Sequence, residues 1–143
     1  MCRVLYVASD SELPIIPWDV SNPKFHVSAS DPDIESVRNH FSKNCVYYLG
    51  SHEGCGCGFH YNDFYEKLDK ADRIDSFSRL KQYLSDAVKT NGSLEVFACW
   101  SGEEPLPCNE KSIISLSEFT NDTLGVVDGS VVGKNLFLEI EKL

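Results

Sequence analysis

The most constraining stretch of this chain is an apolar stripe at helical spacing that stops at Asn91-Gly92 and passes at once into a strand-forming run. Ile74, Phe77, Leu80, Leu84 and Val88 recur at three- and four-residue intervals, so one face of a helix from about Arg73 to Thr90 must be covered. Asn91-Gly92 supplies the stop, since glycine reaches the backbone conformations that close a helix. Leu94 to Trp100 follows with apolar residues at both parities, the pattern of a central strand. A long one-faced helix joined so closely to such a strand calls for helices layered on a sheet.

The remaining elements fit that plan. Val4 to Ala8, Phe25 to Ser28, Cys45 to Leu49, Ser112 to Leu116 and Asn135 to Ile140 have strand-like content. Pro14 and Pro17 forbid regular pairing between Glu12 and Pro23, while Ile15, Ile16 and Trp18 tie that loop to the body. A first helix is expected from Asp31 as N-cap, Pro32 at its first position and Asp33 and Glu35 at the positive end of the dipole. Its apolar face is Ile34, Val37 and Phe41. A short helix capped by Asn62 or Asp63 is expected before the long one, with Asp63 and Glu66 in a capping-box-like pair and Glu66 and Lys70 as an ion pair. Residues 121–134, rich in glycine and valine, fit a hairpin and an irregular loop equally well. The expectation is an α+β fold, one domain over residues 1–143: a mixed sheet of about five strands with two or three helices packed on one face.

Composition narrows the function classes. With 42% apolar and 24% charged residues the chain is globular. A formal charge of −9, from 22 acidic against 13 basic residues, argues against nucleic acid and anionic membrane, both of which need a basic footprint. It leaves room for a basic protein partner or a cationic ligand. The first residues carry no leader-like pattern and no run approaches a spanning helix. A cytoplasmic setting is therefore expected, in which the six cysteines are reduced thiols.

Chemistry concentrates in one segment: His52-Glu53-Gly54-Cys55-Gly56-Cys57-Gly58-Phe59-His60. Cysteine and histidine are soft-metal ligands and nucleophiles, and glycine removes bulk around them. One reading is a metal site, zinc being suitable, with Cys55, Cys57, His52 and His60 as ligands. In an extended strand the two cysteines share one face and the two histidines the other, so four-ligand closure requires a bent loop. Distant ligands such as Cys45, Cys99 or Cys108 could substitute in such a set.

A second reading makes Cys55 or Cys57 the nucleophile of a thiol-dependent enzyme, with His52 or His60 as its base. Peroxide or thiol-exchange chemistry would suit such a pair, although Cys55 and Cys57 are too close to bridge without strain. A third reading, the three glycines as a phosphate cradle, has the right order of strand, loop and helix. It lacks both the dinucleotide spacing and a following lysine, and Glu53 and Asp63 oppose an anion. The competing account is packing: Cys55, Cys57 and Phe59 point inward, the histidines cap backbone groups, and function lies in an acidic, non-catalytic interaction surface. His26 and His40 stand alone in sequence, and Trp18 and Trp100 suit anchoring roles.

The opening Met1-Cys2-Arg3-Val4-Leu5-Tyr6 resembles the first residues of N-terminal-nucleophile glutamine amidotransferases. The resemblance covers these six positions, and implies a nucleophilic Cys2 whose own amine acts as base once the methionine is removed. The rest of the chain carries none of that family's glutamine-binding segments and is short for its fold. Cys2 is accordingly expected as a buried residue at a strand start.

Overall fold

The structure, a computed structural model, describes residues 2–124 and 135–142. A six-stranded mixed sheet, in the order β2-β3-β1-β4-β6-β5, forms its middle layer. The strands are β1 (Arg3–Ser9), β2 (His26–Ser28), β3 (Cys45–Gly50), β4 (Ser93–Trp100), β5 (Glu110–Ser115) and β6 (Leu136–Glu141). All pairings are antiparallel except β5 with β6. The fold is α+β, as the sequence implies, with six strands where about five were expected. The sixth is the three-residue edge strand β2, which falls within the short strand-like stretch Phe25 to Ser28 and pairs with β3.

Helix α2 (Lys67–Asn91) lies across one sheet face. Phe77, Leu80, Tyr83, Leu84, Ala87 and Val88 are its buried apolar residues, packing with Leu5, Val7, Leu49, Leu94, Val96 and Ile140. Leu80 and Leu84 are fully buried, each contributing on the order of 1.5–3 kcal/mol of transfer free energy. Gly92, at φ +83°, closes the helix by donating its N–H to the Val88 carbonyl at 2.7 Å, as Asn91-Gly92 implied.

Two expectations for this region change. The short helix at 62 or 63 is absorbed into the irregular approach to α2 and into the helix itself, and Lys70 pairs with Asp63 at 2.6 Å. Ile74 is 42% exposed, outside the stripe, because the inward positions of the first turns are held by Arg73 and Ser76. Those two polar residues are buried against the glycine-cysteine loop rather than against the sheet, so the apolar stripe begins only at Phe77.

The opposite sheet face is also covered, so the helices do not all lie on one side. Helix α1 (Ile34–Val37) is a single turn, continued as a 3-10 turn over Arg38–His40. Ile34 and Val37 pack on Val4, Tyr6, Val46, Tyr48, Phe97 and Cys99. Its N-cap is Asp33 rather than Asp31, whose carboxylate instead accepts the Asp33 N–H at 2.9 Å in the preceding turn. Strand β4 sits between β1 and β6 with apolar residues on both faces, which explains its two-parity pattern. The open choice between hairpin and loop over 121–134 falls mostly outside the described residues. Among the described residues no helix is long and apolar enough to cross a membrane.

Candidate functional site

Strand β3 delivers the chain into the glycine-cysteine segment, which bends back on itself. Ser51 N–H donates to the Cys55 carbonyl at 2.9 Å, and Gly54 N–H donates to the Ser51 carbonyl at 2.9 Å. The tight reversal places Gly54 at φ +90°, a region side chains avoid. Gly56 to Phe59 then forms a 3-10 turn seated on the start of β1. A Cβ at Gly56 would lie 2.9 Å from the Arg3 carbonyl oxygen, and one at Gly58 would overlap the Ser51 side chain. The glycines thus answer two needs, a left-handed turn and close approach of backbone to backbone.

That approach creates the site. The sulfurs of Cys2, Cys55 and Cys57 all lie within 4.8 Å of one another. Cys2 directly precedes β1 and is exposed, which overturns its expected burial; Cys55 and Cys57 are half-buried. The amide N–H of Arg3 donates to Cys57 Sγ at 3.1 Å. Hydrogen bonding from the Cys55 thiol, then from the Arg3 amide and the Cys2 thiol, outweighs burial and pulls Cys57 down to about 6. Cys55, as the donor to Cys57, is pushed well above the ordinary thiol value, with burial acting in the same direction. In this arrangement Cys57 takes the negative charge and Cys55 keeps its proton.

The loop is held from the other side by Arg73. One guanidinium nitrogen donates to the carbonyls of Cys57 at 3.0 Å and His60 at 3.1 Å. Another pairs with Glu53 at 3.0 Å, the third bonds Asp69 at 3.2 Å, and the group lies 3.8 Å from the Tyr65 ring centroid. Arg73 carries no periodic signal and falls one position before the expected stripe, so sequence reasoning passed over it. The only hint was a basic residue downstream of an acidic, glycine-rich loop.

The structure brings together Cys55 and Cys57, and adds Cys2, which the metal reading had not enrolled. It does not bring His52 or His60 to them. His52 Nδ1 lies 2.7 Å from Ser76 Oγ, and its backbone N–H donates to the same hydroxyl. His60 is buried, with Nε2 3.5 Å from Asp122 and its ring against Tyr65. The two histidines anchor the loop's ends to α2 and to the turn at 121–124. The other cysteines also stand apart: Cys45 beside the Asp10 carbonyl, Cys99 sealed inside the sheet with burial pushing it up to about 12, and Cys108 half-buried.

Three thiols with this spacing could hold a metal ion. In a tetrahedral site with Zn–S near 2.3 Å, neighbouring sulfurs are separated by about 3.8 Å, a spacing that falls inside the 4.8 Å within which these three lie. Among the described residues no further cysteine, histidine or carboxylate joins the group. Comparison with protein-family models, with curated proteins and with solved structures returns no match to this chain.

Proposed function

We propose that this protein binds a soft divalent metal, zinc foremost, through Cys2, Cys55 and Cys57, with the fourth position left to water or an exogenous ligand. The observation that carries this reading is the convergence of three sulfurs from two distant segments within 4.8 Å. Thiolate ligation suits zinc and disfavours hard cations. Cys57 is already disposed toward the thiolate, which lowers the number of protons that binding must expel, while Cys55 must give up the proton that it holds. Three protein ligands with one open position are the pattern of zinc sites that exchange a ligand, as opposed to closed four-ligand structural sites.

The test is a competition titration of reduced, metal-free protein with zinc against a chromophoric chelator, supported by the charge-transfer absorption of the cobalt-substituted form. One equivalent should bind. Cys2→Ser, Cys55→Ser and Cys57→Ser should each weaken binding severely, whereas His52→Gln and His60→Gln should leave the stoichiometry unchanged. A wild-type protein that takes no zinc, or a Cys2→Ser protein of undiminished affinity, would overturn the assignment.

A further inference from the structure

The same cluster offers a second chemistry, which stands without any metal. Cys2 and Cys57 are far apart in sequence, so a bond between them closes no strained ring, unlike one between Cys55 and Cys57. Their sulfurs are already neighbours, and Arg3, whose amide is bonded to Cys57, is the residue that follows Cys2. Cys57 is held by that amide and by the 3-10 turn around it, while Cys2 is an exposed side chain ahead of β1, able to rotate onto it. Cys55 has its backbone fixed in the preceding turn, where its carbonyl accepts from both the N–H and the hydroxyl of Ser51, whereas the Arg3 amide is directed at the Cys57 sulfur itself.

We infer that Cys57 and Cys2 form a hydroperoxide-reactive thiol pair, Cys57 as the attacking sulfur and Cys2 as the resolving one. The Cys57 thiolate attacks the terminal peroxide oxygen, the O–O bond breaks, and the departing alkoxide takes a proton from solvent to leave as alcohol. Cys57 is then a sulfenic acid. The Cys2 sulfur displaces its hydroxyl, which leaves as water with the Cys2 proton, and a Cys2–Cys57 disulfide remains. In sum, two thiols and one hydroperoxide give one disulfide, one alcohol and one water. The thiols lose two electrons, and the peroxide gains them.

The experiment treats reduced, metal-free protein with one equivalent of tert-butyl hydroperoxide and maps its disulfides by mass spectrometry under acid quench. The expected result is loss of two of the six free thiols, with Cys2 linked to Cys57 while Cys45 and Cys108 remain free. In Cys2→Ser the same treatment should leave a dimedone-reactive sulfenic acid on Cys57, and in Cys57→Ser the disulfide should be lost. A map dominated by Cys55–Cys57 or Cys2–Cys55, a sulfenic acid on Cys2 in place of Cys57, or oxidation no faster than at Cys45 and Cys108 would each overturn the inference. The wild-type map alone decides the pairing if a variant fails to fold. Because no metal is present, failure here is separate from failure of the zinc titration.

Discussion

The amide N–H of Arg3 meets the sulfur of Cys57 at 3.1 Å, so the first residue of β1 donates a fixed, non-titrating hydrogen bond to a side chain fifty-four positions away. A backbone donor cannot be neutralised by pH and is positioned by the sheet itself, since Arg3 pairs with Trp100 of β4. Together with the Cys55 thiol it favours charge on Cys57. The result is a cluster that carries one proton fewer than an unfolded chain would at neutral pH.

This has a consequence for stability in the reduced, metal-free protein. Below pH about 6, Cys57 is protonated in both folded and unfolded states, and its ionisation contributes nothing. Between about 6 and the ordinary thiol value of 9.0, the folded state has released a proton that the unfolded state retains, so stability rises with pH. Above 9.0 the unfolded chain sheds its Cys55 proton while the folded cluster holds it, and the contribution falls again. Urea unfolding at a series of pH values should show the gap between wild type and Cys57→Ser widening from pH 6 toward 9. A gap independent of pH would mean that the cluster does not share its proton in this way.

Gly56 and Gly54 should respond differently to alanine. At Gly56 the new methyl meets the Arg3 carbonyl oxygen at 2.9 Å, and backbone on both sides must separate. Overpacking of this kind costs about 1–3 kcal/mol, and here it moves Cys57 away from Cys2. At Gly54 the added methyl meets open space, and only the strain of φ +90° remains, on the order of 1–2 kcal/mol. Both variants should unfold at lower urea, but only Gly56→Ala should also weaken zinc binding in the chelator competition. Equal loss of affinity in the two would argue against backbone approach as the device that assembles the thiols.

Much of the fold is legible in the residues themselves. The stop at Asn91-Gly92, the two-sided strand over Ser93–Trp100 and the alternation in Leu136–Glu141 are local patterns that burial enforces. The half of the site that is local, Cys55 and Cys57 among glycines, is visible for the same reason. Cys2 is not, because its membership depends on β1 lying beside the loop, a long-range fact with no sequence spacing to betray it. The histidines mislead for a related reason: proximity in sequence suggests convergence, yet Ser76 of α2 and Asp122 supply nearer partners. Arg73 is hidden because its role is to fill backbone acceptors on another segment, which depends on shape rather than on periodicity.

Arg73 should matter to the site as well as to stability. Its guanidinium bonds two carbonyls, one of them that of Cys57 itself, and also reaches Glu53 and Asp69. Lysine offers a single charged centre and cannot satisfy acceptors in those several directions. Arg73→Ala is expected to cost about 2–4 kcal/mol, since it strands a buried carbonyl and unpairs Glu53. Arg73→Lys should recover only part of this, and in both variants the loop should become more susceptible to limited proteolysis near Gly58. Retention of wild-type urea stability in Arg73→Lys would show that charge alone suffices.

Metal and disulfide should exclude each other at this cluster, because a Cys2–Cys57 bond consumes two of the three sulfurs that a zinc ion would use. Zinc-loaded protein should therefore resist one equivalent of hydroperoxide, and oxidised protein should take no zinc until it is reduced. The two forms should also differ in stability in the absence of metal. A bond between positions 2 and 57 restricts a long loop of the unfolded chain, and the chain-entropy estimate for such a loop is up to about 4 kcal/mol, less any strain in the folded state. Urea unfolding of the oxidised, metal-free protein should accordingly shift to higher denaturant than that of the reduced form, and the shift should vanish in Cys2→Ser. A lower midpoint on oxidation would show that Cys2 can reach Cys57 only by pulling the loop off β1.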